Sequence, residues 1–198
     1  MINYEGMKAE ASTGKYPMLP EGPYIAEIRG THIDGQVPNQ TLIVRVEITE
    51  GDYKDYFTKR YQHDSQNGGG QYEVKYKGDY RLRIPHPQSS SQWPDTDKKR
   101  FNDAIYRIEQ SNPDYHWDGD ETKWKGLKVG INMQKGTYND NEYTTIGRFE
   151  IIDDIRKGLI SAMKPRKPSY GAGYVPAGEA AATTGGSFTP VEDVEIPF

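Results

Sequence analysis

The sequence predicts a mainly β domain with one or two helices, followed by a disordered C-terminal tail. In several short segments apolar residues alternate with polar ones, which is the period of a half-buried strand. One segment near the middle of the chain instead has a strong helical period. Because helices do not alternate with the strands, we expect an antiparallel sheet and not a parallel one.

The first two strands are expected at residues 22–33 and 40–49, with a turn at 35–39 between them. The second is the clearest, because the even positions from 42 to 48 are all aliphatic. Residues 53–61 are expected to form a third, more polar strand. After a flexible loop at 65–70, residues 72–84 alternate again. This last segment predicts an extra hairpin or insertion before the helix.

The helix is expected to begin near Pro94, where the segment Pro94-Asp95-Thr96-Asp97 supplies N-cap residues. Positions 101, 104, 105 and 108 form one apolar stripe, and Pro113 ends the pattern. Two further strands are expected at 126–133 and 143–152, joined by a long hairpin loop at 136–142. A short last helix, capped by Asp153, is expected to carry the apolar residues up to position 163 and to end at Pro165.

This order places one helix between the third and fourth of five strands. It is the plan of a small Greek-key barrel, the OB-fold, with an insertion before the helix. We therefore divide the chain into a loose lead-in at 1–19, an OB-like domain at 20–165, a flexible linker at 166–190 and an acidic peptide at 191–198. The linker is rich in Gly, Ala, Pro, Ser and Thr, and it holds too few large apolar residues to form a core.

Composition excludes several classes of protein. The chain has no Cys, which rules out disulfides, thiolate metal sites and a thiol nucleophile, and which suits a cytoplasmic protein. No apolar run reaches the roughly 20 residues of a membrane span, so no membrane contact is expected. The net charge is −4, but the four acids after Pro168 account for all of it. The rest of the chain is neutral and can carry a basic face.

Aromatic and basic side chains are interleaved in four regions of this neutral body. Rings of this kind stack on unpaired bases, and cations follow the phosphate chain, so the set is typical of a single-stranded DNA interface. For each ring taken alone, a place in the core is the alternative. The predicted nucleic-acid-binding residues are Phe57, Lys59, Arg60, Tyr72, Lys75, Tyr76, Lys77, Tyr80, Arg81, Arg83, Trp124, Lys135 and Tyr138.

Catalytic and metal chemistry have weak support in the sequence. The acidic loop at 114–120 resembles part of a calcium loop, but its twelfth position is Lys125 where a bidentate Glu is needed. His63 and Asp64 are adjacent without a further partner in the pattern. The Gly-rich stretches lack the Lys-Ser/Thr of a phosphate loop. We expect no catalytic residue, no metal and no cofactor, although a magnesium-dependent nuclease using the Asp/His loop is a third alternative.

The acidic peptide at 191–198 ends in Ile-Pro-Phe, and it resembles the C-terminal tail of bacterial single-stranded DNA-binding proteins. That resemblance implies recruitment of replication and repair enzymes, with an apolar pocket and a cation on the partner. Val194 interrupts the acidic run, which is denser in that family. The predicted partner-binding residues are Asp193, Glu195, Ile196, Pro197 and Phe198.

Short motifs in the body resemble a family of small phage and prophage proteins found among replication and recombination functions. They are Leu-Pro-Glu-Gly-Pro-Tyr at 19–24, the strand at 42–51 that ends in Thr-Glu-Gly, Ser-Asn at 111–112 and Ile-Arg-Lys-Gly at 155–158. The combined expectation is a non-enzymatic protein that binds single-stranded DNA without sequence preference and recruits partners through its tail. The alternative is a recombination mediator or replication adaptor that acts mainly through protein contacts.

Overall fold

A computed structural model describes residues 15–67 and 73–171. Over these ranges the chain forms five strands, three α-helices and one short 3-10 helix. In chain order they are β1 (Gly22–Asp34), β2 (Thr41–Ile48), α1 (Tyr56–Asn67), β3 (Asp79–Arg83), α2 (Pro94–Ser111), the 3-10 helix (Glu121–Trp124), β4 (Lys128–Tyr138), β5 (Asn141–Glu150) and α3 (Ile152–Arg156).

The five strands form one antiparallel sheet in the order β3-β2-β1-β4-β5. The sheet curls until its two edges meet, so that the rings of Tyr80 on β3 and Phe149 on β5 lie 4.7 Å apart. Helix α2 connects β3 to β4 and packs against β3, β4 and β5. This open, curled sheet with one helix between the third and fourth strands is OB-like, and the predicted fold class is confirmed.

One face of each strand lines a single core. Ile28, Val46, Ile131 and their neighbours alternate along the strands as the sequence pattern predicts, and each is fully buried. Ala104 and Ile108 of α2 close one end of this core. Trp124 of the 3-10 helix is also fully buried, and its indole N–H donates to the Tyr115 hydroxyl at 2.9 Å. The indole thereby satisfies its one polar group inside the protein.

The predicted third strand at 53–61 is wrong. This segment is a turn followed by α1, and the third strand is β3 within the region predicted as an insertion. The Glu47 carboxylate, from β2, accepts the backbone N–H groups of Phe57 (3.1 Å) and Thr58 (2.8 Å) at the start of α1. A helix start supported by a residue so far away in sequence leaves no local signal. The inserted element therefore lies between β2 and β3.

The late hairpin also differs from the prediction. Residues 136–142 are not a long loop, because β4 continues to Tyr138 and β5 starts at Asn141. Asn139 and Asp140 form a two-residue turn with φ of 46° and 60°. A turn with two positive φ angles matches the twist of the strands, and Asn and Asp tolerate it better than most residues. The hairpin consequently extends regularly beyond the rest of the sheet, and we name its paired residues 134–145 the hairpin arm.

The last predicted helix is shorter than expected. Helix α3 ends at Arg156, and Gly158 follows with a φ of 69°, a left-handed conformation that terminates helices. Leu159 is 67% exposed and does not join an apolar helix face. Residues 161–171, which we name the strap, instead run along β4 to the hairpin turn. The backbone N–H groups of Arg166 and Ser169 donate to the carbonyls of Lys135 and Thr137 at 2.8 and 3.0 Å.

Several predicted segments fall outside the described residues. These are residues 1–14 of the lead-in, Tyr72, and residues 172–198, which hold most of the linker and the whole acidic peptide. Leu19, the last residue of the predicted lead-in, is fully buried, and its N–H donates to the Tyr56 hydroxyl at 2.9 Å. None of the helices within 15–67 and 73–171 has both the length and the apolar character needed to cross a membrane.

Candidate nucleic-acid interface

An open groove of about 590 Å³ crosses the outer face of β2 and β3. Alternation along these two strands turns Val44, Val46 and Tyr80 towards the core and leaves Arg45 and Arg81 on the opposite side. The segment between α1 and β3 forms one wall, and Thr145 brings β5 to the other side. The groove is lined by Arg45, Tyr61, Glu73, Val74, Lys75, Tyr76, Lys77, Asp79, Arg81 and Thr145.

The groove contains more positive than negative side chains. Arg45 makes a bidentate contact with Asp79, at 2.8 and 3.0 Å, and Arg81 contacts Asp34 at 2.9 Å. Lys75 and Lys77 are exposed, and neither takes part in the ion pairs seen within 15–67 and 73–171. The two lysines are therefore available to phosphates, while the arginines already hold carboxylates that a phosphate would have to displace or share.

Two tyrosines lie in the groove. The ring of Tyr61, from α1, is 42% exposed and lies 6.1 Å from the ring of Tyr76. The Arg45 guanidinium lies over the ring of Tyr76, 4.7 Å from its centre. Tyr61 therefore offers a ring to a base, whereas the half-buried Tyr76 mainly supports the neighbouring cation.

Buried Glu47 fixes the position of this aromatic pair. It is 2% exposed, and it accepts a hydrogen bond from the Tyr76 hydroxyl at 2.9 Å as well as capping α1. Burial and the Glu47 charge raise the pKa of Tyr76 well above its usual range. The phenol stays protonated and donates to Glu47. A single carboxylate thus connects β2, α1 and the wall of the groove.

The structure brings together four of the predicted interface residues, Lys75, Tyr76, Lys77 and Arg81. Sequence analysis missed Arg45 and did not place Tyr61 in the site. The alternation along β2 could have found Arg45, because it lies on the polar face of a strand whose other face is aliphatic. Nothing in the sequence near Tyr61 shows that it faces these residues, because the contact depends on α1.

Three predicted stacking rings lie in the core instead. Phe57, Tyr80 and Trp124 are 1%, 6% and 0% exposed, so protein atoms cover the faces that a base would need. The assignment of these three rings to the interface is wrong. Each fills space between elements: Phe57 lies under Tyr76, and Tyr80 lies against Phe149. Large rings that bury most of their area in a small core stabilise it strongly.

The remaining predicted residues are dispersed. Lys59 and Arg60 lie on α1, where Lys59 donates to the Lys54 carbonyl at 2.8 Å. Arg83 lies near Asp97, at 3.9 Å, towards α2. Lys135 and Tyr138 belong to the hairpin arm. The predicted site residues that fall outside the described ranges are Tyr72, Asp193, Glu195, Ile196, Pro197 and Phe198.

The hairpin arm carries its own mixture of ring and charge. Tyr138 is 49% exposed next to the two-residue turn, and Lys135 pairs with Glu142 at 2.7 Å. The carboxylate of Glu142 raises the pKa of the Lys135 ammonium, so this side chain stays charged. The arm thus adds an exposed ring beyond the groove, but its lysine is already neutralised by a neighbour.

The acidic loop at 114–120 has structural contacts of its own. Asp120 accepts the Thr122 N–H at 3.0 Å and so caps the 3-10 helix, while Asp118 pairs with Lys123. Over residues 15–67 and 73–171 no three His, Asp or Glu side chains are grouped in a way that could hold a metal ion.

Comparison with known proteins gives no assignment: no protein-family model matches the chain, and no curated protein matches its sequence.

Proposed function

We propose that this protein binds single-stranded DNA in the groove over β2 and β3, without reading its sequence. The observation that supports the proposal is the groove itself, which combines two free lysines with the exposed ring of Tyr61. Unpaired bases present a ring face to Tyr61, while the sugar–phosphate chain passes the lysines. Stacking is tolerant of sequence, because every base has such a face. The outer face of these two strands is also where OB-like barrels bind oligonucleotides.

The choice of DNA over RNA rests on the resemblance of the acidic peptide to the tails of single-stranded DNA-binding proteins. The proposal keeps the role expected for that peptide, which is recruitment of replication or recombination proteins. Residues 191–198 lie outside the described part of the chain, so this role remains a prediction from sequence. The alternative, an adaptor that touches DNA little, also remains a prediction.

The test is a titration of the full-length protein with fluorescein-labelled oligothymidylate, followed by anisotropy between about 50 and 200 mM salt. The oligonucleotide should be longer than the roughly 4–16 nucleotides that one OB-like domain occupies. We expect saturable binding that weakens with salt, and weaker binding of the matching duplex, whose bases are already stacked. A flat titration with folded protein would exclude the proposal and favour the adaptor. Tighter binding of the matching RNA would overturn the choice of DNA.

The double variant Lys75→Gln/Lys77→Gln locates the site. Each lost phosphate contact lowers the slope of log K against log salt by about 0.7, so the pair should lower it by about 1.4. Lys125→Gln/Lys157→Gln is the matched control, because both of these lysines are exposed and neither lines the groove. Equal slopes for the two double variants would show that the DNA lies elsewhere on the surface.

A further inference from the structure

A second basic site lies beside the groove, in a cleft of about 180 Å³ between α2 and the edge strands. We name it the arginine cleft. Arg100 and Arg107 project into it from α2, and Arg148 projects from β5. Its floor is formed by apolar or backbone surface. The other lining residues are Tyr80, Asp103, Ala104, Gly147, Phe149 and Met163.

A buried carboxylate holds two of these arginines in place. Glu150 is 0% exposed, and it accepts hydrogen bonds from Arg107 at one oxygen and from Arg148 Nε, at 2.6 Å, at the other. Asn132 adds a third bond at 3.1 Å. A guanidinium has five N–H donors, so both arginines keep donors for a further ligand. Because Glu150 orients them beforehand, little side-chain entropy remains to be lost on binding.

The cleft has an excess of positive charge. Three arginines line the cleft, against one lining acid, Asp103, and the buried Glu150 that holds Arg107 and Arg148. Arg166 of the strap adds a further positive charge that acts on Tyr80. Burial raises the pKa of Tyr80, and this rise is opposed by Arg100, Arg166 and Arg107 in that order. Three guanidinium groups therefore act on Tyr80, which lines the cleft. A site of this charge favours an anion.

The shape and chemistry of the cleft suit a phosphate and not a base. Its two rings, Tyr80 and Phe149, are 6% and 1% exposed and offer no stacking face. Planar guanidinium forks match the oxygen atoms of a phosphate, which they bind in a bidentate way.

The arginine cleft continues the groove across the seam between β3 and β5. Arg81 lines the groove and Tyr80 lines the cleft. These adjacent residues point to opposite faces of β3, so the path from one site to the other passes around the edge of this strand. On β5 the corresponding residues are Thr145 and Arg148. The register with β4 shifts between them, so that they lie opposite Gln134 and Asn132, two positions or about 7 Å apart along the strand. An extended nucleic acid leaving the groove over Thr145 meets Arg148 next.

We propose that the arginine cleft binds a backbone phosphate of the same strand that occupies the groove, so that single-stranded DNA crosses the β3–β5 seam. The inference rests on the proposed function and extends it, because it gives the strand a direction and a second contact. Oligonucleotides that fill only the groove do not reach the cleft, whereas longer ones do. Affinity should therefore rise in a step when the oligonucleotide becomes long enough.

The test compares oligothymidylates of increasing length on full-length wild-type protein, Arg100→Gln and Lys99→Gln. Arg100 is exposed, so its replacement leaves the fold intact, and Lys99 is an exposed cation on the same helix outside the cleft. We expect Arg100→Gln to match wild type for short oligonucleotides. For long ones it should bind about three- to fivefold more weakly and lower the salt slope by about 0.7. Lys99→Gln should match wild type throughout, and Arg100→Lys should restore part of the loss.

Four results would overturn the inference. Loss of affinity that is equal at all lengths would place Arg100 in the groove site, and equal losses for Lys99→Gln would show a general charge effect. If Arg100→Gln causes no loss at any length while Lys75→Gln/Lys77→Gln still weakens binding, the cleft does not contact the DNA. The proposed binding of DNA in the groove is then retained. If wild type binds no oligonucleotide, both proposals fail together.

Discussion

Glu47→Gln replaces a buried carboxylate by an amide of the same shape, and so tests what supports the groove. One carboxylate oxygen accepts the N–H groups of Ile48 (3.0 Å) and Phe57 (3.1 Å). The other accepts the Thr58 N–H (2.8 Å), the Thr58 hydroxyl and the Tyr76 hydroxyl (2.9 Å). A Gln side chain keeps a single acceptor oxygen. Its NH₂ group must therefore face either the Thr58 N–H or the N–H groups of Ile48 and Phe57, and it cannot accept from them.

The magnitude follows from these contacts. Each buried donor left without an acceptor costs about 1–3 kcal/mol. Part of this is offset, because the variant no longer has a buried charge to desolvate. The net expectation is a loss of about 3 kcal/mol in the free energy of unfolding, which for a domain of this size lowers Tm by about 6–12 °C. Affinity for single-stranded DNA should also fall, since Tyr76 and α1 lose their common anchor.

Urea unfolding followed by Trp fluorescence measures the stability, and anisotropy on the folded variant measures the affinity. Glu50→Gln is the matched control, because Glu50 is an exposed carboxylate whose ion pairs with Arg156 (3.2 Å) and Lys128 (3.9 Å) lie on the surface. Such pairs contribute about 0–1 kcal/mol. If Glu47→Gln costs no more than Glu50→Gln, the carboxylate does not hold the groove together and this reasoning is refuted.

Three further changes test other parts of the structure. Tyr61→Ala should lower DNA affinity by about 1–3 kcal/mol, whereas Tyr106→Ala, which removes a more exposed ring outside the groove, should leave it unchanged; equal anisotropy curves for the two would contradict stacking on Tyr61. Gly78→Ala places a Cβ 2.5 Å from a carbonyl oxygen of β2 and should cost about 1–3 kcal/mol in urea unfolding, while Gly30→Ala, with open space at its Cβ, should cost little. Burial raises the pKa of Tyr24 from 10.0 to about 12, so its contribution to stability is complete below pH 10 and is lost as the pH rises through 12. Between these pH values the free energy of unfolding should therefore fall more steeply for wild type than for Tyr24→Phe. Parallel falls would show that ionisation of Tyr24 does not cause the loss of stability.

The fold could be predicted from the sequence because, in most of its strands and in α2, buried and exposed residues repeat with the period of that element. Alternation along β2 and the apolar stripe of α2 each reflect which face of one element is buried. Helix α1 could not be predicted in this way. Only Tyr56 and Phe57 of its side chains are buried, too few to reveal a helical period, and its cap comes from Glu47 on another element.

The hairpin arm shows how a residue's usual preference can mislead. Gly136 suggests a loop, but in the structure it lies within β4, at a position where a Cβ would meet the Tyr143 ring at 2.6 Å. The glycine makes room for a ring on the neighbouring strand. The adjacent Asn139 and Asp140 were the better signal, since this pair suits a two-residue turn.

The candidate site could be predicted only in part. Its cations follow from strand alternation, because charged side chains on an otherwise aliphatic strand face away from the core. Which rings accompany them could not be read from the sequence. Trp124 and Tyr61 have similar polar neighbours in sequence, yet one is fully buried and the other exposed. Burial of a ring depends on contacts between distant segments, and single-sequence patterns do not contain them.

The strap has a consequence for how this protein behaves at high concentration. Beyond Met133, β4 no longer pairs with β1, so its N–H and carbonyl groups at 134–138 would form an open edge. Open edges invite pairing with the sheet of another molecule, and with it aggregation. The strap occupies this edge through bonds such as that from Ser169 to Thr137. Shortening the chain to residue 163 would thus expose this edge of β4, and we expect the shortened protein to self-associate.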